Sequence, residues 1–392
     1  MVSPSDLAGL LRARRQSSDV CWAGKECGYT IRFDNKADPE RTRVKFLTDG
    51  ILLREMMGDP LLSRYSVIMV DEAHERSIYT DVVIGLLKKI QRRRKDLRVI
   101  VSSATLDAEA FKNFFLGDKP DVTPPFADGT LGRVSVMSMQ AGRMFPVDVH
   151  YLADPTKDYL RASLETVLQI HTKEPAGDIL VFLTGADEVT SLCQAINEVG
   201  GKGSEGLTLT PTGLFGAMAL ERQLEAFAEA APAAKTRKVV VATNIAETSV
   251  TIPGIVYVVD CMFVKMRSYN AQLGIDMLTV MPVSKASATQ RAGRAGRLRP
   301  GKCYRLCTED VWREQLLDMT VPEMQRAELT SIVLQLKALG IDDILHFEFP
   351  SPPPALTLAR ALEVLYALGG LDDDAKLTEP LGLQLAEVSV LL

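Results

Sequence analysis

What most constrains the fold of this chain is a set of short apolar runs, each closed by polar residues and followed by an amphipathic stretch. YSVIMV, LRVIVSSAT, DILVFLT, RKVVVAT and GIVYVVD are continuously apolar rather than alternating, the pattern of strands covered on both faces. Between them, TDVVIGLLKKIQRR and ADEVTSLCQAINEV carry apolar residues at helical spacing, and KFLTDGILLREMM is also helix-like. Strands alternating with helices predict an α/β fold with parallel sheets, and the pattern occurs twice, so two domains of one design are expected. In open α/β sheets ligands bind beyond the carboxyl ends of the strands. That rule places Asp71, Glu72, Ser103 and Thr105 along one crevice.

A chain of 392 residues is long for one core, and its 46% hydrophobic and 24% charged content matches a globular protein. The net charge of −5 argues against a uniformly basic nucleic-acid coat. It leaves two local basic stretches, Arg12 to Arg15 and Arg92 to Lys95, which suit either phosphate or solvent. The six cysteines show no zinc-ligand spacing and read as reduced thiols of an intracellular protein. No apolar run approaches the ~18 residues of a membrane span, so no membrane partner is expected.

Gly117 to Gly142 reads as a loop, and a new segment begins near FPVDVHYL. FVKMRSY and MLTVMPVS predict a hairpin, and the tail from Pro322 predicts a small helical module of winged-helix type.

Three constellations carry chemistry. Asp71 and Glu72 follow a strand, where one carboxylate can hold a magnesium ion while the other polarises a water; alone, such a pair is equally an ordinary strand end. QRAGRAGR, Gln290 to Arg297, spaces Arg294 and Arg297 for one helix face, which suits the equatorial oxygens of a phosphoryl group, and its repeated glycines require a packing reason. TNIAETSVT, Thr243 to Thr251, gathers hydroxyls at a strand end with one charge, Glu247, and can grip phosphate oxygens without reading bases. TDG at Thr48 to Gly50 is a smaller set of the same kind, or simply a helix cap.

Taken together, GYTIRFD, TDGILLRE, DEAHERS, SSATLDA, VFLTGADEV, TNIAETSVTIPGIVYVVD, SKASATQRAGRAGR and PGKCYRL resemble, in order, a DEAH-box RNA helicase of superfamily 2. The resemblance implies two RecA-like domains and a partial winged-helix and helical module, divided as residues 1–141, 142–318 and 319–392. It implies Asp71 as the magnesium ligand and Glu72 as the base toward water, with His74, Ser103 and Thr105 coupling hydrolysis to movement. Gln290, Arg294 and Arg297 would act on the phosphates of ATP or another nucleoside triphosphate when the domains close. Thr48, Thr243, Asn244 and Thr248 would touch single-stranded RNA, Phe227 would stack on the base, and the hairpin between Val264 and Met281 would meet the strand junction. Spliceosomal or other RNP proteins as partners, and a nuclear location, follow from the resemblance alone.

The chain departs from that pattern at the phosphate-cradling loop. G-x-x-x-x-G-K-[ST] has one near match, GRLRPGKC, which ends in Cys303 and leads into a strand-like segment, and WAGKE around Lys25 lacks the first glycine. A first domain without its opening strand is expected to leave neighbouring strands with exposed apolar faces. A non-catalytic RNA- or protein-binding module is therefore the competing expectation. Pro253 stands where the family often has an acidic residue, and the stretch around Thr208 to Gly216 is expected to resemble the family's strand only loosely.

Overall fold

The computed structural model describes residues 26–104, 108–117, 134–138, 145–201, 203, 206–228, 235–247 and 251–391. Thr105, Thr248, the basic stretch at Arg12, the WAGK residues and most of the loop at 117–142 lie outside them. The chain forms two compact units, one from the described residues of 139–266 with 278–320, the other from those of 3–138 with 267–277 and 321–392.

In the second of these units, β1 (Cys27–Ile31) pairs with β2 (Asp34–Asn35) and, in parallel, with β3 (Val44–Leu47). Lys45 to Leu47 were expected to open a helix. They form a strand instead because Val44 to Leu47 match β1 residue for residue, and the helix starts only at Asp49. β4 (Val67–Val70) and β5 (Arg98–Val101) form a separate parallel pair. Between them runs the helix Ile78–Arg93, whose Val82, Val83, Ile84 and Leu87 are wholly buried. Their cluster also takes in Met324, Ile332, Leu336, Ile341 and Leu365, so the C-terminal helices Thr330–Ala338 and Ala355–Ala367 share one core with the first α/β segment. Glu348 seals this joint, accepting from Lys88 at 2.9 Å and Arg92 at 2.6 Å. The opposite face of the β4–β5 pair is uncovered: Val67, Met69 and Ile100 are each about half exposed.

The other unit holds β6 (Val147–Tyr151), β7 (Asp178–Phe182), β8 (Thr208–Leu214), β9 (Thr236–Ala242) and β10 (Ile255–Asp260). A ribbon of β11 (Phe263–Asn270) and β12 (Ile275–Pro282) then leaves the sheet, with β12 exposed throughout, and β13 (Gly301–Arg305) returns. The six-stranded sheet runs β6-β13-β10-β7-β9-β8, with all neighbouring strands parallel. Alternation explains why its central strands read as unbroken apolar runs. Ile179, Val181, Val239 and Val241 join the cluster under the helices Tyr159–Lys173 and Ala186–Val199, while Leu180, Phe182, Val240 and Ala242 join a second cluster on the opposite face. β8 is a full seven-residue edge strand, more regular than its sequence suggested.

Two cations open β9, and both are buried. The Arg237 guanidinium donates to the carbonyls of Ile170 at 2.7 Å and Glu174 at 2.9 Å, closing the end of one helix, and the Lys238 ammonium donates to those of Ala226 at 3.0 Å and Ala228 at 2.8 Å, closing another. Each supplies a positive charge and donors where a helix ends in unpaired carbonyls. Arg237→Met removes the guanidinium donors from those carbonyls, and we expect a loss of about 2–3 kcal/mol, read by urea unfolding at Trp312 in a Trp22→Phe background.

Candidate active site

Beyond β4 the ladder continues through the motif. Ser102 N donates to Val70 O at 2.8 Å and Ala73 N to Ser102 O at 2.9 Å, so DEAH and SSAT are stitched by backbone. Ala73, fully buried, anchors a short 3-10 turn over Ala73–Glu75. Glu72 enters that turn at φ 53°, ψ 34°, left-handed for a residue with a side chain. Such a conformation costs about 1–3 kcal/mol and persists where its surroundings enforce it.

His74 is part of those surroundings. Its Nδ1 accepts from Ala104 N at 3.1 Å, which leaves the proton of the neutral ring on Nε2, 3.2 Å from Glu72 Oε2. Nε2 has no hydrogen-bond partner, so the contact is that of a dipole with a carboxylate. One ring thus ties the Glu72 side chain to the backbone of the SSAT stretch. Asp71 is exposed, and its Oδ1 accepts from Glu72 N at 3.0 Å. A divalent cation that keeps most of its waters fits such a single, accessible carboxylate. No group of three or more metal-ligating side chains occurs among the described residues.

The following residues are braced from the C-terminal segment of the same unit. Arg76, also left-handed, grips buried Asp81 bidentately at 2.8 and 2.9 Å and reaches Ser351 Oγ at 2.7 Å. Glu323 accepts from Ile78 N at 3.1 Å and donates through its own amide to Arg76 O at 3.0 Å. Thr48 caps the helix Asp49–Gly58 through its backbone alone, and its hydroxyl makes no cap bond. Asp49 instead accepts from the Thr80 hydroxyl. Ser103 is half-buried beside this array.

In the other unit the centre is Arg291, which is 1% exposed. Its guanidinium donates to Glu247 Oε2 at 2.8 Å, to Asp260 Oδ1 at 2.9 Å and to Phe263 O at 3.3 Å, and lies 5.0 Å from the Phe182 ring centroid. Burial alone would lower its pKa, but the two carboxylates outweigh that and hold it fully charged. Gln290 is half-buried on the same helix, Lys285–Ala292. That helix ends at Ala292, so Arg294 and Arg297 do not share a helix face as expected; they occupy the turns after it, where Arg294 N bonds Arg291 O at 3.1 Å. The chain turns there because Gly296 passes so close to β6 that a Cβ would sit 2.5 Å from Phe145 O. This is the packing reason for Gly296. Arg294 donates to the Glu247 carbonyl and Arg297 to the Thr251 hydroxyl. Both line a small crevice with Leu180, Ala246, Ile252 and Ile255.

Thr243 and Asn244 sit at the end of β9, Thr243 half-buried and Asn244 exposed. Phe227 ends the helix Leu220–Phe227 and packs, half-buried, against the cluster that includes Leu180 and Ala292. The Gly-Lys stretch at 301–302 lies in β13, with Lys302 paired to Glu174 at 2.8 Å, so it cradles no phosphate. Cys27 is disulfide-bonded, contrary to the expectation of reduced thiols throughout, whereas Cys193, Cys261, Cys303 and Cys307 are free.

Comparison with known proteins agrees with this geometry. Residues 162–299 match the helicase conserved C-terminal domain and residues 361–390 the winged-helix helicase associated domain. The chain is 53% identical over 373 residues to the probable ATP-dependent RNA helicase DHX35 of Homo sapiens, covering 93% of this chain and 51% of that protein. The chain is similar to DEAH-type RNA helicases along nearly all of its length. It is also 48% identical over 388 residues to the pre-mRNA-splicing factor ATP-dependent RNA helicase prp22 of Schizosaccharomyces pombe, of which it covers 31%. The crystal structure of the Escherichia coli DEAH/RHA helicase HrpB superposes with a TM-score of 0.78 at 32% identity, covering 96% of this chain and 44% of that one. The chain thus spans about half the length of its DHX35 relatives. No helix among the described residues is long and apolar enough to cross a membrane.

Two outcomes follow for stability. Arg291→Met leaves buried Asp260 and half-buried Glu247 without their cation and is expected to cost about 3–5 kcal/mol, whereas Arg294→Met, which removes the bond to the Glu247 carbonyl, costs about 0.5–1.5 kcal/mol; unfolding at Trp312 compares them. Burial raises the Asp49 carboxyl above its usual 3.8, the Thr80 hydrogen bond opposing it. The folded chain therefore holds that proton more tightly than the unfolded one, and stability falls as pH rises from about 3.8 through the raised value. Asp49→Asn is expected to flatten this slope in melting temperatures measured across that window.

Proposed function

We propose that this chain carries the core of a DEAH-type ATP-dependent RNA helicase, coupling nucleoside triphosphate hydrolysis to movement along RNA. The observation that carries the reading is the enforced left-handed turn at Glu72, with His74 spanning from its carboxylate to the backbone of Ala104. A base toward water needs a fixed direction, and a coupling element needs a mechanical link to the nucleotide site; one imidazole supplies both. A magnesium ion held by Asp71 would neutralise charge on the phosphates of ATP or another triphosphate. Glu72 takes a proton from the attacking water, and His74 with Ser103 and Thr105 transmits the change.

Gln290, Arg294 and Arg297 are assigned to the same nucleotide's phosphates. The turn after Ala292 supports this, because it frees the two arginines from the direction of a helix. Arg291 is left out of the chemistry and holds Glu247, whose carbonyl receives Arg294. Thr48, Thr243, Asn244 and Thr248 are assigned to the RNA backbone, a grip without base reading. Phe227 remains the candidate for base stacking through the part of its ring not covered by the core. RNA as the polymer and mRNA processing as the setting rest on the names of the relatives, and RNP proteins as partners and the nucleus as the location on the resemblance of the motifs.

A second reading, a non-catalytic RNA-binding fragment, is favoured by one observation: Lys302, in the one near match to a phosphate loop, is consumed by Glu174. RNA-stimulated phosphate release distinguishes the two. We expect release that Glu72→Gln lowers by about 100-fold or more, with RNA binding unchanged. RNA binding with no release from the parent chain would favour the second reading.

A further inference from the structure

A socket unrelated to the nucleotide residues lies in the unit built from the first α/β segment and the C-terminal helices. Met56, Leu86, Ile90 and Ile341 form its apolar floor, and Leu61 and Leu339 its walls, enclosing about 170 Å³. This is well below the about 300 Å³ at which cofactor pockets begin, and suits a single large side chain. The walls are preformed. Arg94 donates to the carbonyls of Leu61 and Leu62, fixing one turn, and Ile341 N bonds Leu336 O at 3.0 Å while Gly340 N bonds Lys337 O at 2.9 Å, closing the other.

The rim is positive. Lys89 and Arg93 lie one helical turn apart, exposed, and neither has an acidic partner among the described residues. Their neighbours in the same basic stretch are engaged: Arg92 with Glu348, Arg94 with Asp96 and the wall carbonyls. Two unpaired cations at i and i+4 beside an apolar hole complement a bulky apolar anchor flanked by carboxylates. We infer that this socket docks a segment of a partner protein, an acidic amphipathic helix that buries one leucine or aromatic side chain between Leu61 and Leu339 and pairs carboxylates with Lys89 and Arg93. RNA phosphates would answer the cations but would leave the apolar floor unused. Because floor and walls come from both parts of one core, an occupant also clamps the C-terminal helices to the helix Ile78–Arg93.

The test uses the whole chain with methyl-labelled Met, Leu and Ile and a twelve-residue helical peptide bearing one Leu anchor and Glu at the preceding and following turns. Saturable shifts confined to Met56, Leu61, Leu86, Ile90, Leu339 and Ile341 are expected. Affinity should fall about tenfold or more with the anchor changed to Ala, and likewise with Lys89→Glu/Arg93→Glu, surface changes that leave folding and phosphate release intact. Absence of shifts at these methyls at millimolar peptide, equal binding by the Ala peptide, or displacement of the peptide by an oligouridylate at equal concentration would overturn the inference.

Discussion

The second site constellation depends on one buried cation. Arg291 is almost completely removed from water, and only the simultaneous presence of Glu247 and Asp260 makes its charge tolerable there. Those three residues come from the helix before the arginine turns, the hydroxyl-rich turn after β9 and the end of β10. Their mutual neutralisation therefore fixes three loops at the carboxyl edge of one sheet. Arg294 inherits its position, since its acceptor is the carbonyl of the same Glu247. The first constellation depends on a gentler contact, a histidine that accepts from the backbone of Ala104 and sets its Nε2 3.2 Å from the Glu72 carboxylate.

Much of the fold was legible because burial on both faces leaves a plain mark. β7, β9 and β10 read as continuous apolar runs, and their side chains do divide between two clusters. The ordered motifs were legible because carboxylates, hydroxyls and arginines stand at strand ends where an apolar run stops. The boundaries were harder. Lys45 to Leu47 look like the start of a helix because Phe46 and Leu47 adjoin its apolar pattern, and only pairing with β1 makes them a strand.

Other features were illegible because they depend on partners distant in sequence. Arg237 and Lys238 look like a solvated strand entry until the ends of two helices arrive beside them. Arg291 is indistinguishable by composition from Arg294 and Arg297, yet it is structural; the signals that could have singled it out are Glu247, the lone charge of its stretch, and Asp260, an acid closing an apolar strand. The sharing of one core by the first α/β segment and the C-terminal helices was likewise invisible, since helical periodicity gives a face but not its partner.

The central claim is that Asp71 and the arginines after Ala292 serve one nucleotide. A double-mutant cycle on magnesium-dependent binding of a fluorescent ATP analogue tests it most directly, using Asp71→Ala, Arg297→Ala and the pair. The account predicts magnesium-dependent binding, weakened by each change, with a coupling of about 0.5–3 kcal/mol between them. Strictly additive losses, or binding indifferent to magnesium and to both substitutions, would contradict it.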